Sequence, residues 1–152
     1  MTGDIATNRK ALRDYHILEK FEAGIELKGT EVKSIRGGKI NINDAFARVE
    51  NGQVFLYSCD IQPYVRASHT QHEPRRTRRL LLHKKEINKL LGQTQVKGLT
   101  LVALRTYWKN RRVKIELGVG KGKAHRDQRE DIKKREANRE AARALANFNK
   151  RR

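Results

Sequence analysis

The run Ala45-Phe46-Ala47-Arg48-Val49-Glu50-Asn51-Gly52-Gln53-Val54-Phe55-Leu56-Tyr57-Ser58 decides how this chain folds. Asn-Gly favours the positive backbone angles of a two-residue type I′ turn, so the segments on either side of it, 45–50 and 53–58, read as an antiparallel hairpin. A second strand pair lies at Leu99–Trp108 and Arg112–Val119. In its latter half Val113, Ile115, Leu117 and Val119 occupy one face and Lys114 and Glu116 the other, which presents Lys114 outward.

Working outward from these pairs, the spacing of apolar residues over Tyr15–Leu27 suits one or two strands, divided near Ala23-Gly24. Residues 1–13 are polar and start the chain loosely. Gly29-Thr30 before Glu31-Val32-Lys33-Ser34-Ile35, closed by Gly37-Gly38, predicts a short helix with Thr30 as N-cap and a glycine stop. An extended segment follows over Ile61–Val65, and Arg66–Arg79, basic and interrupted by Pro74, reads as an exposed loop. Leu80–Leu82 leads into a helix in which Ile87, Leu90 and Leu91 share a face and Gly92 ends the last turn. Many short strands and few helices predict a mainly β fold, an OB-like antiparallel β-barrel with flanking helices, because closure removes exposed sheet edges.

The chain has 152 residues, 37% of them hydrophobic, enough for one modest core and an arm. The barrel is expected over 1–120. Residues 121–152 change character: basic residues dominate, and Ala137, Ala141, Leu145 and Phe148 form a narrow helical stripe. Such a tail is expected to be disordered alone and helical on a partner. Lys and Arg total 35 against 17 Asp and Glu, a net charge of +18, which points to a polyanionic partner. The single cysteine, Cys59, excludes an intramolecular disulfide framework and fits a reducing cytosol. With no signal peptide and no apolar run near the roughly 20 residues a spanning helix needs, the expected location is cytoplasmic, away from membranes.

Catalysis finds little support. His69 and His72 sit three apart in a basic loop without a third ligand pattern, so no metal site is expected and both read as loop histidines beside RNA or solvent. Cys59 beside Asp60 lacks a base and reads as a buried strand residue. Gly-Val-Gly-Lys-Gly-Lys at 118–123 lacks the spacing and the Ser or Thr of a phosphate loop; it reads as the point where a strand turns into a mobile basic tail. No catalytic residues and no cofactor are expected. Arg75, Arg76, Arg78 and Arg79, followed by Lys84 and Lys85, form a dense basic patch suited to phosphates, its like-charge crowding costly without an anion. Tyr15, Phe55, Tyr57, Tyr107 and Trp108 suit core or barrel-surface positions at least as well as base stacking, which favours recognition of RNA shape and backbone.

Several stretches in order resemble the SsrA-binding protein (small protein B) family, RNA-binding partners of transfer-messenger RNA in bacterial ribosome rescue. They are Phe21-Glu22-Ala23-Gly24, Gly29 to Ser34, Arg76-Thr77-Arg78-Arg79-Leu80-Leu81-Leu82, Tyr107-Trp108-Lys109-Asn110, Gly118 to Lys123 and Asp131 to Glu136. The resemblance implies an OB-like barrel that grips the tRNA-like domain of transfer-messenger RNA near its elbow, with Glu22, Leu81 and Lys114 as contacts. His83, where many members have Asn, joins them, with Arg76, Arg78 and Arg79 supplying charge. It also implies a tail that enters the small-subunit decoding centre and the empty messenger channel through Lys123, Arg126, Asp127, Ile132, Lys133, Arg135 and Arg139. Arg126 stands where the family often places a His, with His125 one residue earlier. The implied mechanism delivers transfer-messenger RNA to stalled ribosomes for trans-translation, by binding without catalysis and as a monomer when free. A ribosomal or assembly protein with a basic tail shares the composition but would not prefer a tRNA-like elbow. An RNA hydrolase would need an acid-base pair that the sequence lacks, and a membrane-binding tail would need a stripe richer than alanine.

Overall fold

The computed structural model describes residues 3–66, 71–123 and 135–146. Two compact units divide the chain, Met1–Gly122 and Lys123–Arg152. The first runs β1 (Gly3–Thr7), α1 (Arg9–Asp14), β2 (Tyr15–Ile25), α2 (Gly29–Arg36), β3 (Ile40–Asn41), β4 (Phe46–Glu50), β5 (Gln53–Tyr57), β6 (Asp60–Ile61), β7 (Arg78–Leu81), α3 (Lys84–Thr94), β8 (Leu99–Lys109) and β9 (Arg112–Gly122).

Seven strands pair in the order β1-β8-β4-β5-β7-β2-β9, and β8 also pairs with β9. Six of them therefore close into an antiparallel ring, with β1 added outside on β8 and β3–β6 as a separate small ladder. This is the OB-like, mainly β architecture expected. The Asn-Gly hairpin forms as read, Asn51 at φ 50° and Gly52 at φ 73°, with Phe46 opposite Tyr57 and Arg48 opposite Phe55. Asn110 and Arg111 also adopt positive φ, 51° and 63°, turning β8 into β9. Inward residues of the ring, among them Val54, Leu56, Leu101, Ala103, Ile115, Leu117 and Val119, are buried in one core, which Leu90 of α3 and Ile35 of α2 complete.

The structure corrects several readings. From Gly3 on the chain is built into the fold rather than loose: Asn8 is buried, its Oδ1 accepts from the Ala11 amide to cap α1, and its Nδ2 donates to the carbonyls of Ile42 (2.9 Å) and Ala103 (2.8 Å). One side chain thus ties the first helix to the barrel. β2 runs unbroken through Ala23-Gly24, because β9 pairs with it from Tyr15 to Gly24. Lys28, not Thr30, is the N-cap of α2, and its amide donates to Glu31 Oε1 at 2.7 Å. The extended segment after Cys59 stops at Ile61. Arg78–Leu81 form a strand before α3, and α3 continues through Gly92 to Thr94.

The glycines at 118 and 120 lie inside β9 rather than at a hinge. A Cβ on Gly118 would stand 2.8 Å from Leu104 Cδ1 and 3.2 Å from Ile17 Cγ2, and one on Gly120 would stand 3.1 Å from Tyr15 Cβ. They make room on the barrel's outside for a second small core in which Ala11, Val102 and Leu104 pack with Tyr15 and Ile17. Gly118→Ala therefore overpacks that cluster, and urea unfolding should show a loss of about 1–3 kcal/mol, with the larger Gly118→Val worse.

In the second unit residues 135–146, which include Ala137, Ala141 and Leu145 of the apolar stripe, are helical and every one is exposed. Alanine, glutamate and arginine supply the intrinsic propensity. No helix among the described residues is long and apolar enough to cross a membrane.

Candidate nucleic-acid interface

Strand register brings together three residues that lie far apart in sequence. Gly24 of β2 pairs with Leu81 of β7 on one side and with Lys114 of β9 on the other. A Cβ on Gly24 would meet Leu81 Cβ at 3.3 Å and Lys114 Nζ at 3.6 Å, so the bare glycine forms a floor over which an apolar side chain and an ammonium close. Leu81 is 47% exposed although it follows a buried Leu80, because β7 alternates and its odd residues face out. The groove beside it, about 390 Å³, is walled by Ile25, Val32 and Trp108 and rimmed by Arg111, Arg112 and Lys114. It offers an apolar surface ringed by cations, which suits a sugar or base edge with its phosphate.

Glu22 stands on the same face of β2, next to a second cleft shared with Lys109, Asn110, Arg112 and Lys114. The Tyr107 hydroxyl donates to Glu22 Oε2 at 2.5 Å, and Lys109 Nζ lies 3.1 Å from Oε1. These partners, Tyr107 first and then Lys109, hold the Glu22 carboxyl below its ordinary range. Burial and the Glu22 carboxylate push the Tyr107 phenol well up. Glu22 is therefore a fixed, ionised acceptor at neutral pH, a group whose chemistry can accept from a base-edge or ribose donor and repels phosphate. Arg105 lies 4.4 Å from the Tyr107 ring centroid and pairs with Asp4 and Glu116, so Tyr107 is itself braced. The sequence did not single out Tyr107 as the residue that orients Glu22. Its place in Tyr-Trp-Lys-Asn, directly before an exposed turn, was the available signal.

The arginine patch differs from its reading. Arg78 is fully buried, with Nε on Glu31 Oε2 and other nitrogens on the carbonyls of Cys59 (2.8 Å), Arg76 (3.0 Å) and Pro74 (3.1 Å). It is a structural cation and presents nothing to an RNA. Arg76 pairs with Glu31 at 2.7 Å and is partly exposed, Arg79 pairs with Glu26 at 3.0 Å on the surface, and Arg75 approaches Asp60 at 3.8 Å. The anion that relieves the crowded charges comes from the protein itself. His72, read as a loop histidine beside RNA or solvent, is buried between Thr30 Oγ1 (2.9 Å) and the Ile61 carbonyl (2.8 Å); it fastens the loop to α2 and β6. His69 lies outside the described residues.

His83 is exposed at the N-cap of α3, two residues beyond Leu81, with its amide bonded to Glu86 Oε1 at 3.2 Å. It lines neither of the two clefts. Cys59 is buried, though between β5 and β6 rather than in a strand, and burial pushes its thiol up to about 11, which leaves it protonated and unreactive at neutral pH. No cluster of three or more metal-ligating side chains occurs among the described residues. Of the tail set, Lys123 follows the end of β9, and Arg135 and Arg139 are exposed on the helix at 135–146. Arg126, Asp127, Ile132 and Lys133 lie outside the described residues.

Residues 5–147 match the family described as SmpB protein. The SsrA-binding protein of Carboxydothermus hydrogenoformans is 58% identical, across 93% of this chain and 95% of its own. That of Enterococcus faecalis is 52% identical, across 94% of this chain and 93% of its own. A chain in the solved structure called "tmRNA-SmpB: a journey to the center of the bacterial ribosome" superposes with a TM-score of 0.67 at 50% identity, covering 79% of this chain and 85% of that one.

Proposed function

We infer the function of this chain from its family: it belongs to the SmpB protein family. It is an RNA-binding protein, not an enzyme, that binds transfer-messenger RNA (SsrA) and acts with it on the ribosome in trans-translation. The observation that carries the reading to particular residues is the groove over Gly24, where Leu81 and Lys114 close together beside Glu22.

The barrel takes the tRNA-like domain of the RNA at this groove. Leu81 packs on a sugar or base, Lys114 and Arg112 neutralise phosphate, Glu22 accepts from a base edge or ribose hydroxyl, and His83 and Arg79 extend the contact along β7. Arg76, partly exposed, lends charge at the border, while Arg78 holds the loop from within. Phosphate contacts supply affinity that falls with salt, and Glu22 with Leu81 supplies the part that does not. The basic tail probes the small-subunit decoding centre and the empty messenger channel. Arg135 and Arg139 face phosphates from the helix at 135–146, and Lys123, Arg126, Asp127, Ile132 and Lys133 line the approach. A ribosome whose channel still holds messenger excludes the tail, so only stalled ribosomes are served. The site of action is the cytoplasm.

The division of labour is tested by truncation after Lys123. The shortened chain should bind transfer-messenger RNA within about twofold of the full chain, since twofold is only about 0.4 kcal/mol, yet fail to support peptide tagging on stalled ribosomes. A large loss of RNA affinity on truncation would contradict it.

A further inference from the structure

Three aromatic residues of the hairpin are left over by the core. Phe46, Phe55 and Tyr57 are half-buried on the outer face of β4 and β5, and neither hydrophobic cluster includes them. Phe46 and Tyr57 are paired across the strands, their rings near parallel at 17° with centroids 5.5 Å apart. The Arg48 guanidinium lies over both, 5.3 Å from the Phe46 centroid and 5.6 Å from that of Tyr57. The Tyr57 ring is held in turn by its hydroxyl, which donates to Glu50 Oε1 at 2.7 Å.

Arg48 is set apart by combining an unpaired charge with a seat on two rings; Arg9, Arg36, Arg111 and Arg112 also have no carboxylate within ion-pair distance among the described residues, but none of them lies over an aromatic ring. Arg76, Arg78, Arg79 and Arg105 each pair with a carboxylate, whereas Arg48 is exposed and has none within ion-pair distance among the described residues. Glu50, the nearest acid on the same face of β4, is occupied by Tyr57. A guanidinium immobilised on two rings, with its charge uncompensated, combines a planar surface for a base with donors for a phosphate.

The face is continuous with the interface described above. Arg48 is opposite Phe55, and Phe55 is opposite Arg79, a row across three strands. One residue pair further along, Leu81, Gly24 and Lys114 form the next row across β7, β2 and β9. β4 and β9 are four strands apart through β5, β7 and β2 around the outside of the ring, on the order of 20 Å at about 4.8 Å per strand, a span that a folded RNA seated at Lys114 can cover.

We propose that the outer face of β4, β5 and β7 is a second contact surface for the same transfer-messenger RNA, on which Arg48, Phe46 and Tyr57 take one unpaired nucleobase and its adjoining phosphate. This rests on the reading that Leu81, Gly24 and Lys114 contact that RNA. An acidic protein segment fits less well, because the surface offers one uncompensated charge beside aromatic planes and the other cation of its row, Arg79, is already paired with Glu26.

The test uses the full chain and full-length transfer-messenger RNA, with affinity and nucleotide-resolution hydroxyl-radical protection measured for Arg48→Ala, Arg48→Lys, Tyr57→Leu and, as a control on the first groove, Leu81→Asp. Arg48 is exposed, so its variants should keep the wild-type circular dichroism and unfolding midpoint. Arg48→Ala should weaken binding on the order of 10-fold, the size of one lost base stack, and erase a patch of protection that Leu81→Asp leaves in place or shifts separately. Arg48→Lys should restore the affinity only in part, because it keeps charge without the plane. Unchanged affinity and footprint in Arg48→Ala, with Leu81→Asp still impaired, overturns the second surface and spares the first. Full rescue by Arg48→Lys overturns the base-stacking assignment, and a defect seen only in binding ribosomal proteins makes the occupant a protein instead. If Leu81→Asp binds normally, the first groove is what fails.

Discussion

Glu31→Ala should cost the barrel about 3–5 kcal/mol, the range for removing one partner of a buried ion pair. Glu31 is fully buried at the start of α2 and holds two arginines, Arg78 inside the protein and Arg76 at its border. Removing the carboxylate strands a buried guanidinium that has carbonyl partners but no counter-charge, and frees the loop that Arg78 ties to Cys59 and Pro74. Since a domain of this size has only about 5–15 kcal/mol in hand, Glu31→Ala should unfold at a much lower urea concentration, and Arg78→Lys should fall between it and wild type because an ammonium cannot reach the same set of acceptors.

The same pair sets an acid limit. Burial alone raises the Glu31 carboxyl, but the Arg76 hydrogen bond, the Lys28 amide and Arg78 outweigh it, so its value lies below the ordinary 4.5. A carboxyl lowered on folding contributes stability above its unfolded value and loses it as pH falls through the folded one. Urea midpoints should therefore be flat in this respect above about pH 5 and decline below it. In Glu31→Gln that acid limb should be shallower.

Leu81→Asp should produce the largest loss in RNA binding, at least on the order of 10-fold, with little loss of stability because Leu81 is half exposed. The aspartate would place a carboxylate over Gly24, close to Lys114 Nζ, neutralising the ammonium meant for phosphate and repelling the RNA. Lys114→Ala should act differently, weakening binding to many RNAs alike and lowering the salt slope by about 1. A titration of each variant across salt separates the two. Equal slopes in wild type and Lys114→Ala would remove Lys114 from the contact.

What the chain disclosed on reading follows from where each signal is stored. The Asn51-Gly52 turn and the alternation of Val113 to Val119 are local, so both strand pairs were legible. α1 and β1 were not, because their order comes from Asn8 bonding to Ile42 and Ala103, 34 and 95 residues away. α3 ran past Gly92 because one exposed glycine costs a helix only about 1 kcal/mol. The arginine run misled for a related reason: its carboxylates, Glu31, Glu26 and Asp60, are supplied by α2, the segment after β2, and β6. Leu81 and Lys114 came from resemblance and alternation. That they meet across Gly24 depended on a three-strand register no local pattern encodes.

The central claim is that this barrel recognises a particular RNA fold rather than negative charge. Its most direct test is competition for the full chain between the tRNA-like domain of transfer-messenger RNA and an unrelated structured RNA of equal length, over a series of salt concentrations. The account predicts a preference for the tRNA-like domain that persists as salt rises and disappears in Glu22→Ala and in Leu81→Asp while both variants stay folded. Equal affinities that fall together with salt would contradict it, leaving a general polyanion binder.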